Sequence, residues 1–410
     1  MKIIGITDIG GFRLGNAENK EKGTGCTVII CEDGAVGGVD VRGGGPATRE
    51  TDLLRSENTV NAVNAVVLSG GSAFGLEAAS GVMRELADRK IGFDVGEDIV
   101  VPIVCGASLF DLAVGDHSAF PDVGMGMQAV RNAYDADGFR NGNHGAGTGA
   151  TVGKILGHDR AMKTGLGTFA CGDEFLEVGA ISAVNAVGDI YNGAGNIIAG
   201  LRSEDGASIY GTIKTLKSMV HDNTGFVDES TTFIDRADIE EAISFSEADD
   251  EDPGHDETHM AVTPETAETS ESYEEETKTE DTVQAEDTAV AEEPAEEPKR
   301  ELTPEELGYD IAFNTTISCL ITNAALTKSQ ANKLASILHD AYARAIKPVH
   351  GTLDGDTVFV LASGKQQVNF DAFAALATDV LQYAIIDGAM SAKSDYGLPA
   401  ARDMQNTGDK

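Results

Sequence analysis

The chain has few basic residues, few cysteines and no long apolar run. Its 30 Lys and Arg are outnumbered by 68 Asp and Glu, for a formal net charge of −38, and no basic stripe is present that would bind nucleic acid. The five cysteines are odd in number and have no C-x-x-C spacing, so neither a disulfide framework nor a zinc site is indicated. No segment approaches the ~20 apolar residues of a membrane span, and residues 1–13 lack the features of a secretory signal. We therefore expect a cytoplasmic protein without a membrane partner, a metal or a cofactor.

The negative charge is concentrated in one segment. Residues 247–297 contain 21 Asp or Glu and one Lys, but no Leu, Ile or Phe. A segment of this composition cannot bury enough apolar surface to offset the entropy lost on ordering. We therefore predict a disordered acidic insert over residues 245–303, which interrupts a single catalytic domain formed by residues 1–244 and 304–410. The charge is expected to keep the insert solvated, and an acidic partner-binding arm is the alternative.

Strands and helices that occur in blocks predict a layered α+β fold. Residues 25–32 have the composition of a strand, Asp33-Gly34 that of a hairpin turn, and residues 35–41 that of the return strand. Thr327 is expected to cap a helix that ends before Pro348. Further strands are predicted over residues 100–104 and 176–187, and further helices over residues 73–90 and 370–386.

The tripeptide Asn314-Thr315-Thr316 joins the acidic tract to residues 316–321, a β-branched and apolar run that predicts a buried strand. If the peptide bond before Thr315 were cleaved, the new N-terminal residue would carry a hydroxyl nucleophile and, in its own α-amine, a general base. The reference pKa of such an amine is about 7.7–8, so much of it can accept a proton near neutral pH. An ordinary beginning of a strand is the alternative.

Asp354 and Asp356 stand at positions i and i+2 before a second apolar run, residues 358–362. If the strand is regular there, both side chains point to one face. Two carboxylates on one face repel each other unless they share a proton or find hydrogen-bond donors. That cost is tolerated where a hydroxyl and an amine must be held in place, and a solvated Asp-Gly turn is the alternative.

The glycine-rich run over residues 145–154 is not a phosphate-binding loop. Gly149 precedes Gly153 by only four positions, and Ile155 follows Lys154 where such a loop requires Ser or Thr. The backbone N–H groups of this run could line a substrate cleft instead. Lys154 could then lower the pKa of the amine or hold a carboxylate, and a surface lysine is the alternative.

Asn185 interrupts an otherwise small and apolar strand. A buried amide without partners costs roughly 1–3 kcal/mol, so the side chain is expected to be hydrogen-bonded. One hypothesis is a structural bond to a neighbouring strand. The other is that the amide donates to the oxygen of an attacked carbonyl, as an oxyanion-hole group does.

Six motifs, taken together and in this order, resemble the self-processing aminopeptidases that include the L-aminopeptidase/D-esterase, the β-aminopeptidases and the nylon-oligomer hydrolases. The resemblance covers nearly all of the chain outside the acidic insert. It implies a four-layer helix-sheet-sheet-helix sandwich like that of the N-terminal-nucleophile hydrolases, with its own connectivity. The motifs lie at residues 42–52, 68–76, 145–154, 184–189, 314–317 and 354–356.

The resemblance also implies a function and a set of site residues. The chain would cleave itself between Asn314 and Thr315 and then hydrolyse small peptide, amide or ester substrates, assembled as a homo-oligomer of processed α/β pairs. The implied catalytic residues are Thr315 as nucleophile, Asn185 as oxyanion donor, and Lys154, Asp354 and Asp356.

Three points stay open from the sequence alone. Some family members use a tyrosine as a second oxyanion donor, and no tyrosine near residues 144–148 clearly matches it; His144 is expected to be incidental. An acyltransferase of the ornithine acetyltransferase type is the alternative enzyme. An unprocessed binding protein is the alternative from another class.

Overall fold

The computed structural model describes residues 1–221 and 314–405. These two segments belong to one compact unit. The predicted acidic insert and its boundaries at residues 245 and 303 lie outside the described residues, so that prediction remains a prediction.

The described residues form strands and helices in mixed order. The helices are α1 (Glu77–Asp88), α2 (Val123–Asn132), α3 (Thr212–Ser218), α4 (Lys328–Ala345), α5 (Phe370–Met390) and α6 (Ala401–Gln405). The strands are β1 (Lys2–Ile3), β2 (Arg13–Asn19), β3 (Thr24–Val41), β4 (Ala47–Arg49), β5 (Val63–Ser69), β6 (Phe93–Gly96), β7 (Ile99–Val101), β8 (Val104–Ser108), β9 (Thr151–Val152), β10 (Met162–Lys163), β11 (Leu166–Gly172), β12 (Glu177–Ala183), β13 (Asp189–Tyr191), β14 (Ile197–Ala199), β15 (Ile317–Ala324), β16 (Ile346–Lys347) and β17 (Thr357–Gln366).

Strand β3 runs through both main sheets. Its first part pairs with β2 and β5, and its last part pairs with β17. The predicted hairpin at Asp33-Gly34 is therefore wrong, because the chain continues in one direction through these residues. Gly34 has a positive φ of 77° and lies where the pairing with β5 changes register between Ile30 and Ala35. A glycine in this conformation is compatible with a bulge as well as with a turn. Here it lies where β3 stops pairing with β5 and begins to pair with β17.

Four layers result, and three apolar cores lie between them. One sheet has the order β1-β11-β12-β15-β17-β3, and the other contains β2, β3, β5, β8 and β4. One core lies between the sheets and includes Ile29, Ile181 and Phe359. Helices α4 and α5 cover the outer face of the first sheet, and α1 and α2 cover the other. The predicted α+β helix-sheet-sheet-helix sandwich is confirmed.

Helices α4 and α5 follow the predicted signals closely. The Thr327 side chain accepts the Gln330 N–H, and the Gln330 side-chain oxygen accepts the Thr327 N–H. Thr327 therefore caps α4 as expected. Helix α5 is four residues longer than predicted. By length and composition alone it is apolar enough to cross a membrane, which corrects the expectation that no segment approaches a span. It packs on β11 and β12 with Phe373 and Leu381 buried, so the core of the sandwich accounts for its composition.

Several predicted bounds change for local reasons. The region 73–90 begins as a 3₁₀ helix over Ser72–Leu76 and becomes α-helical only from Glu77. The strand predicted over residues 100–104 is two strands, β7 and β8, separated at Pro102, which lacks the N–H that a sheet ladder needs. The strand predicted over 176–187 is shorter and ends at Ala183.

Candidate active site

The site lies at one edge of the first sheet, where β15 and β17 begin. These strands are parallel neighbours, with Ile317 opposite Thr357, so the residues that precede them meet at the same edge. The Asn314 N–H donates to the Leu353 carbonyl oxygen at 3.2 Å. The Thr357 N–H donates to the Thr316 carbonyl oxygen at 3.1 Å. The two segments predicted from sequence to carry chemistry are therefore joined by backbone hydrogen bonds.

Thr315 is buried, and its hydroxyl lies against the peptide bond that precedes it. The hydroxyl donates a short hydrogen bond to the Asn314 carbonyl oxygen, and the Thr315 N–H donates to the Asn185 carbonyl oxygen at 3.0 Å. The same Asn314 oxygen accepts the Gly355 N–H at 2.9 Å. In the uncut chain the predicted nucleophile and a backbone donor thus meet at the predicted scissile carbonyl.

The Gly355 N–H is a functional group that sequence reasoning missed. In the sequence, the Asp354-Gly355-Asp356 motif indicates only a turn signal flanked by two acids. A Cβ on Gly355 would lie 2.6 Å from Thr315 Oγ1 and 3.1 Å from the Gly45 carbonyl oxygen. Glycine is therefore required here by the close approach of the nucleophile, and this requirement depends on a tertiary contact that no local pattern records.

Asp356 is fixed by three polar groups. Its Oδ1 accepts the Thr316 N–H at 2.8 Å. Its Oδ2 accepts the His350 N–H at 3.2 Å and lies 2.9 Å from His350 Nδ1. The sequence does not single out His350, because a lone histidine before a glycine-rich turn has no distinguishing pattern. The predicted carboxylate therefore holds the residue next to Thr315, and an unpredicted imidazole holds the carboxylate.

Asp354 is buried in the same turn and points to a different partner. Its Oδ2 accepts the Gly351 N–H at 2.6 Å. Burial, with a further contribution from the negative charge of Asp356, raises the pKa of Asp354 to about 6. Strand β17 begins only at Thr357, so the two aspartates do not share one face of a regular strand as that hypothesis required. Within the described contacts, no hydrogen bond joins either carboxylate to Thr315 in the uncut chain.

Asn185 and Lys154 form the opposite wall of the site. The Asn185 side-chain oxygen accepts the Thr151 N–H at 3.0 Å and Lys154 Nζ at 2.8 Å. Its amide nitrogen donates to the Phe110 carbonyl oxygen at 2.9 Å, which leaves the second amide hydrogen for another acceptor. The backbone oxygen of Asn185 accepts both Lys154 Nζ and the Thr315 N–H. Asn185 therefore contacts the proposed cleavage site directly.

Lys154 is not a surface lysine, so that alternative is wrong. Only 4% of the residue is exposed. Burial lowers the pKa of Lys154 to about 7, against the opposing influence of Asp354 and Asp111. Asp111 is itself buried, and burial raises its pKa to about 6 although the Gly71 N–H and the Thr24 hydroxyl donate to it. Lys154 therefore lies within the electrostatic influence of two buried carboxyl groups whose pKa values are raised.

The glycines of the motif at residues 42–52 bring a loop against the acidic turn. The Gly45 N–H donates to the Asp354 carbonyl oxygen at 2.8 Å. A Cβ on Gly43 would lie 2.1 Å from the Asp354 carbonyl oxygen, and one on Gly44 would lie 2.4 Å from that of Thr352. Side chains at these positions would force the two backbones apart, so the motif maintains the geometry of the turn.

Two large cavities lie around His144. They measure about 900 and 810 Å³, and His144 lines both. Neither is lined by any of the five predicted catalytic residues. His144 Nδ1 lies 2.8 Å from Glu18 Oε1, so the histidine is part of a hydrogen-bonded contact on the cavity wall.

The known proteins that are similar to this chain include peptidases and an oligomer hydrolase. A model of peptidase family S58 matches residues 5–400. One relative is an uncharacterized aminopeptidase of Mycobacterium tuberculosis, 30% identical with 97% of each chain covered. Another is the 6-aminohexanoate-oligomer endohydrolase of a Kocuria species, 26% identical over 93% of this chain and 85% of the relative.

Solved structures of similar fold include two aminopeptidases. The L-aminopeptidase D-Ala-esterase/amidase of Ochrobactrum anthropi, described as a variant of the Ntn hydrolase fold, has a TM-score of 0.57 at 16% identity, covering 98% of this chain and 92% of its own. A β-aminopeptidase of a Burkholderia species has a TM-score of 0.55 at 16% identity, covering 99% and 94%. These likenesses agree with the four-layer sandwich.

Proposed function

This chain belongs to peptidase family S58 and is a hydrolase of peptide or amide bonds, and we propose that it is a self-cleaving enzyme whose nucleophile is Thr315. One observation carries the proposal. In the uncut chain the Thr315 hydroxyl lies beside the Asn314 carbonyl, and the oxygen of that carbonyl is already held by the Gly355 N–H. The groups that an N→O acyl shift needs are therefore adjacent before any cleavage.

Self-cleavage would proceed in two steps. The Thr315 oxygen attacks the Asn314 carbonyl carbon, and the negative charge that develops on the carbonyl oxygen is stabilised by the Gly355 N–H. The C–N bond then breaks, and the proton lost by the hydroxyl is taken up by the leaving Thr315 nitrogen. The resulting ester joins Asn314 to the Thr315 oxygen. Water hydrolyses this ester and leaves a free carboxylate on Asn314 and a free hydroxyl and amine on Thr315.

Turnover would reuse the same oxygen. The Thr315 α-amine takes the hydroxyl proton as the oxygen attacks a substrate amide, and it returns a proton to the leaving amine. The second amide hydrogen of Asn185 stabilises the oxyanion, with Lys154 fixing the amide through its bond to the side-chain oxygen. Asp354 and Asp356 orient the new α-amine and the strand that carries it. Hydrolysis of the acyl-enzyme completes the cycle.

The substrate is proposed from chemistry shared with the relatives. The relatives are named as aminopeptidases and as a 6-aminohexanoate-oligomer endohydrolase, so we propose small peptides or linear amides as substrates. The enzyme would act in the cytoplasm as a homo-oligomer of processed α/β pairs. A panel of p-nitroanilides of L-, D- and β-amino acids, together with a 6-aminohexanoate oligomer, would identify the class. Faster transfer of the acyl group to an amine than to water would identify the acyltransferase alternative.

The decisive experiment is N-terminal sequencing of the purified protein. Cleavage should leave a β chain of 96 residues that begins Thr-Thr-Ile-Ser. Thr315→Ala should abolish both cleavage and turnover. Thr316→Ala is the matched control, because the buried Thr316 hydroxyl has no hydrogen-bond partner in the described ranges and its loss should leave both activities measurable. An active protein that stays uncut would refute the proposal.

A further inference from the structure

His350 contacts both of the side chains that hold the backbone of Thr316, the residue next to the proposed nucleophile. Asp356 Oδ1 accepts the Thr316 N–H at 2.8 Å, and the Tyr342 hydroxyl donates to the Thr316 carbonyl oxygen at 3.1 Å. His350 Nδ1 lies 2.9 Å from Asp356 Oδ2, and its ring stacks on that of Tyr342 with centroids 5.8 Å apart. The N–H and the carbonyl oxygen of Thr316 are therefore both held, and the His350 imidazole contacts both Asp356 and Tyr342.

The hydrogen bonds determine which ring nitrogen of His350 carries a hydrogen. An ionised carboxylate only accepts, so the contact with Asp356 requires a hydrogen on Nδ1. The other nitrogen, Nε2, is buried and has no hydrogen-bond partner among residues 1–221 and 314–405. The His339 ring lies edge-on to His350, with centroids 4.6 Å apart. An imidazole that donates from Nδ1 alone suits these surroundings.

The neighbouring His339 does not donate to Asp356 in place of His350. Its Nε2 lies 3.1 Å from the Asp40 carbonyl oxygen, on strand β3, and it makes no hydrogen bond to Asp356 within the described contacts. Burial lowers the pKa of His339 to about 4, so its ring is neutral at neutral pH. His350 is therefore the side chain placed to donate to the Asp356 carboxylate.

The backbone of His350 supports a specific role for its side chain. Its φ is 59°, in the left-handed region that glycine occupies freely and that asparagine, aspartate and histidine occupy more often than other residues do. Holding a residue other than glycine in such a conformation costs stability. Glycine would avoid that cost but would leave Asp356 without the side-chain donor.

We propose that His350 is a positioning residue for self-cleavage and turnover. Its Nδ1–H orients the Asp356 carboxylate, which holds the Thr316 N–H and so keeps the Thr315 hydroxyl beside its target carbonyl. The inference rests on the proposed role of Thr315 as nucleophile. Because His350 does not touch the reacting atoms, its loss should slow the chemical steps and leave substrate binding nearly unchanged.

Three substitutions that tolerate a left-handed backbone separate the donor from the fold. His350→Asn places an amide N–H near the position of Nδ1, whereas His350→Asp puts a carboxylate of the same size there and His350→Gly leaves no side chain. We expect the Asn variant to cleave itself within about ten-fold of the wild-type rate. The Asp and Gly variants should be slower by about 10²-fold, the loss that misplacement by about 1 Å produces.

Self-cleavage after cell-free synthesis of the full chain, followed on denaturing gels, needs no external substrate. On the cut enzymes, kcat should fall in the same order while KM stays within about two-fold, and thermal melts should show folded proteins in each case. Equal cleavage rates for the Asn and Asp variants, or a wild-type rate for the Gly variant, would overturn the role of His350. Continued cleavage of Thr315→Ala would overturn the nucleophile instead, so the two failures are distinguishable.

Discussion

Replacing Asp354 with asparagine removes a charge that the fold holds at a cost. Burial and the neighbouring Asp356 raise the pKa of Asp354 from its ordinary 3.8 to about 6. A carboxyl group whose pKa is raised in the folded state ionises more easily in the unfolded chain. The folded state is therefore penalised as the pH rises above 3.8, and the penalty is complete only above about 6.

The magnitude follows from the shift. About two pKa units correspond to a full penalty of about 3 kcal/mol, of which about 2 kcal/mol develops between pH 4 and pH 6. Asparagine cannot ionise and so escapes this loss. Its amide nitrogen would replace the buried Asp354 Oδ1, which has no hydrogen-bond partner in the described chain, at a cost of about 1–3 kcal/mol at every pH. The two effects nearly cancel near pH 6, but only the first one changes with pH.

The assay compares Thr315→Ala with Thr315→Ala/Asp354→Asn, so that both proteins keep the chain uncut. Lys154, with a pKa lowered to about 7, is largely protonated in the single variant over pH 4–6. Between pH 4 and pH 6 the single variant should lose about 2 kcal/mol relative to the double variant, or roughly 2–3 °C in Tm. Parallel melting temperatures across this range would show that Asp354 is not a costly buried acid. In the wild-type background, Asp354→Asn should also slow turnover by about 10²-fold.

Gly355→Ala would place a Cβ 2.6 Å from Thr315 Oγ1 and should prevent self-cleavage in a chain that still folds, as read by gel and circular dichroism; normal cleavage would contradict the assigned geometry. Lys154→Met removes the group that holds the Asn185 side-chain oxygen at 2.8 Å. It should lower kcat at least about ten-fold in a variant that thermal melts show to be folded; a wild-type kcat would refute its role. Deletion of residues 247–297 should leave cleavage and Tm nearly unchanged, since that composition buries little apolar surface; loss of cleavage would identify a docking element.

Local patterns located both halves of the site. Thr315 precedes one buried strand, and Asp354 precedes another. Each strand is marked by a run of β-branched and apolar residues, a composition that favours strands. That β15 and β17 are parallel neighbours is not visible in either run, although it alone brings the beginnings of both strands to one edge of the sheet. The family resemblance supplied this link, because the order of the motifs carries the topology with it.

Local patterns failed where one residue type serves two geometries. A glycine with positive φ suits both a hairpin and a bulge, so Gly34 could not be assigned without knowing that β3 pairs with strands in both sheets. The Gly355 N–H and the His350 imidazole act on groups at least six positions away, so periodicity does not reveal them. Both are identified only by hydrogen bonds that converge on Thr315 or its neighbour.

The charge balance of the site would favour the proposed self-cleavage. In the uncut chain Thr315 contributes a neutral peptide N–H, while Asp354 remains buried with a raised pKa. Cleavage converts that N–H into an α-amine, which is partly protonated near neutral pH. A new positive charge in this turn would favour the ionised form of Asp354 and lower its pKa. The uncut chain thus holds a carboxyl group in an unfavourable environment, and the proposed cleavage would provide a cation that stabilises that carboxylate.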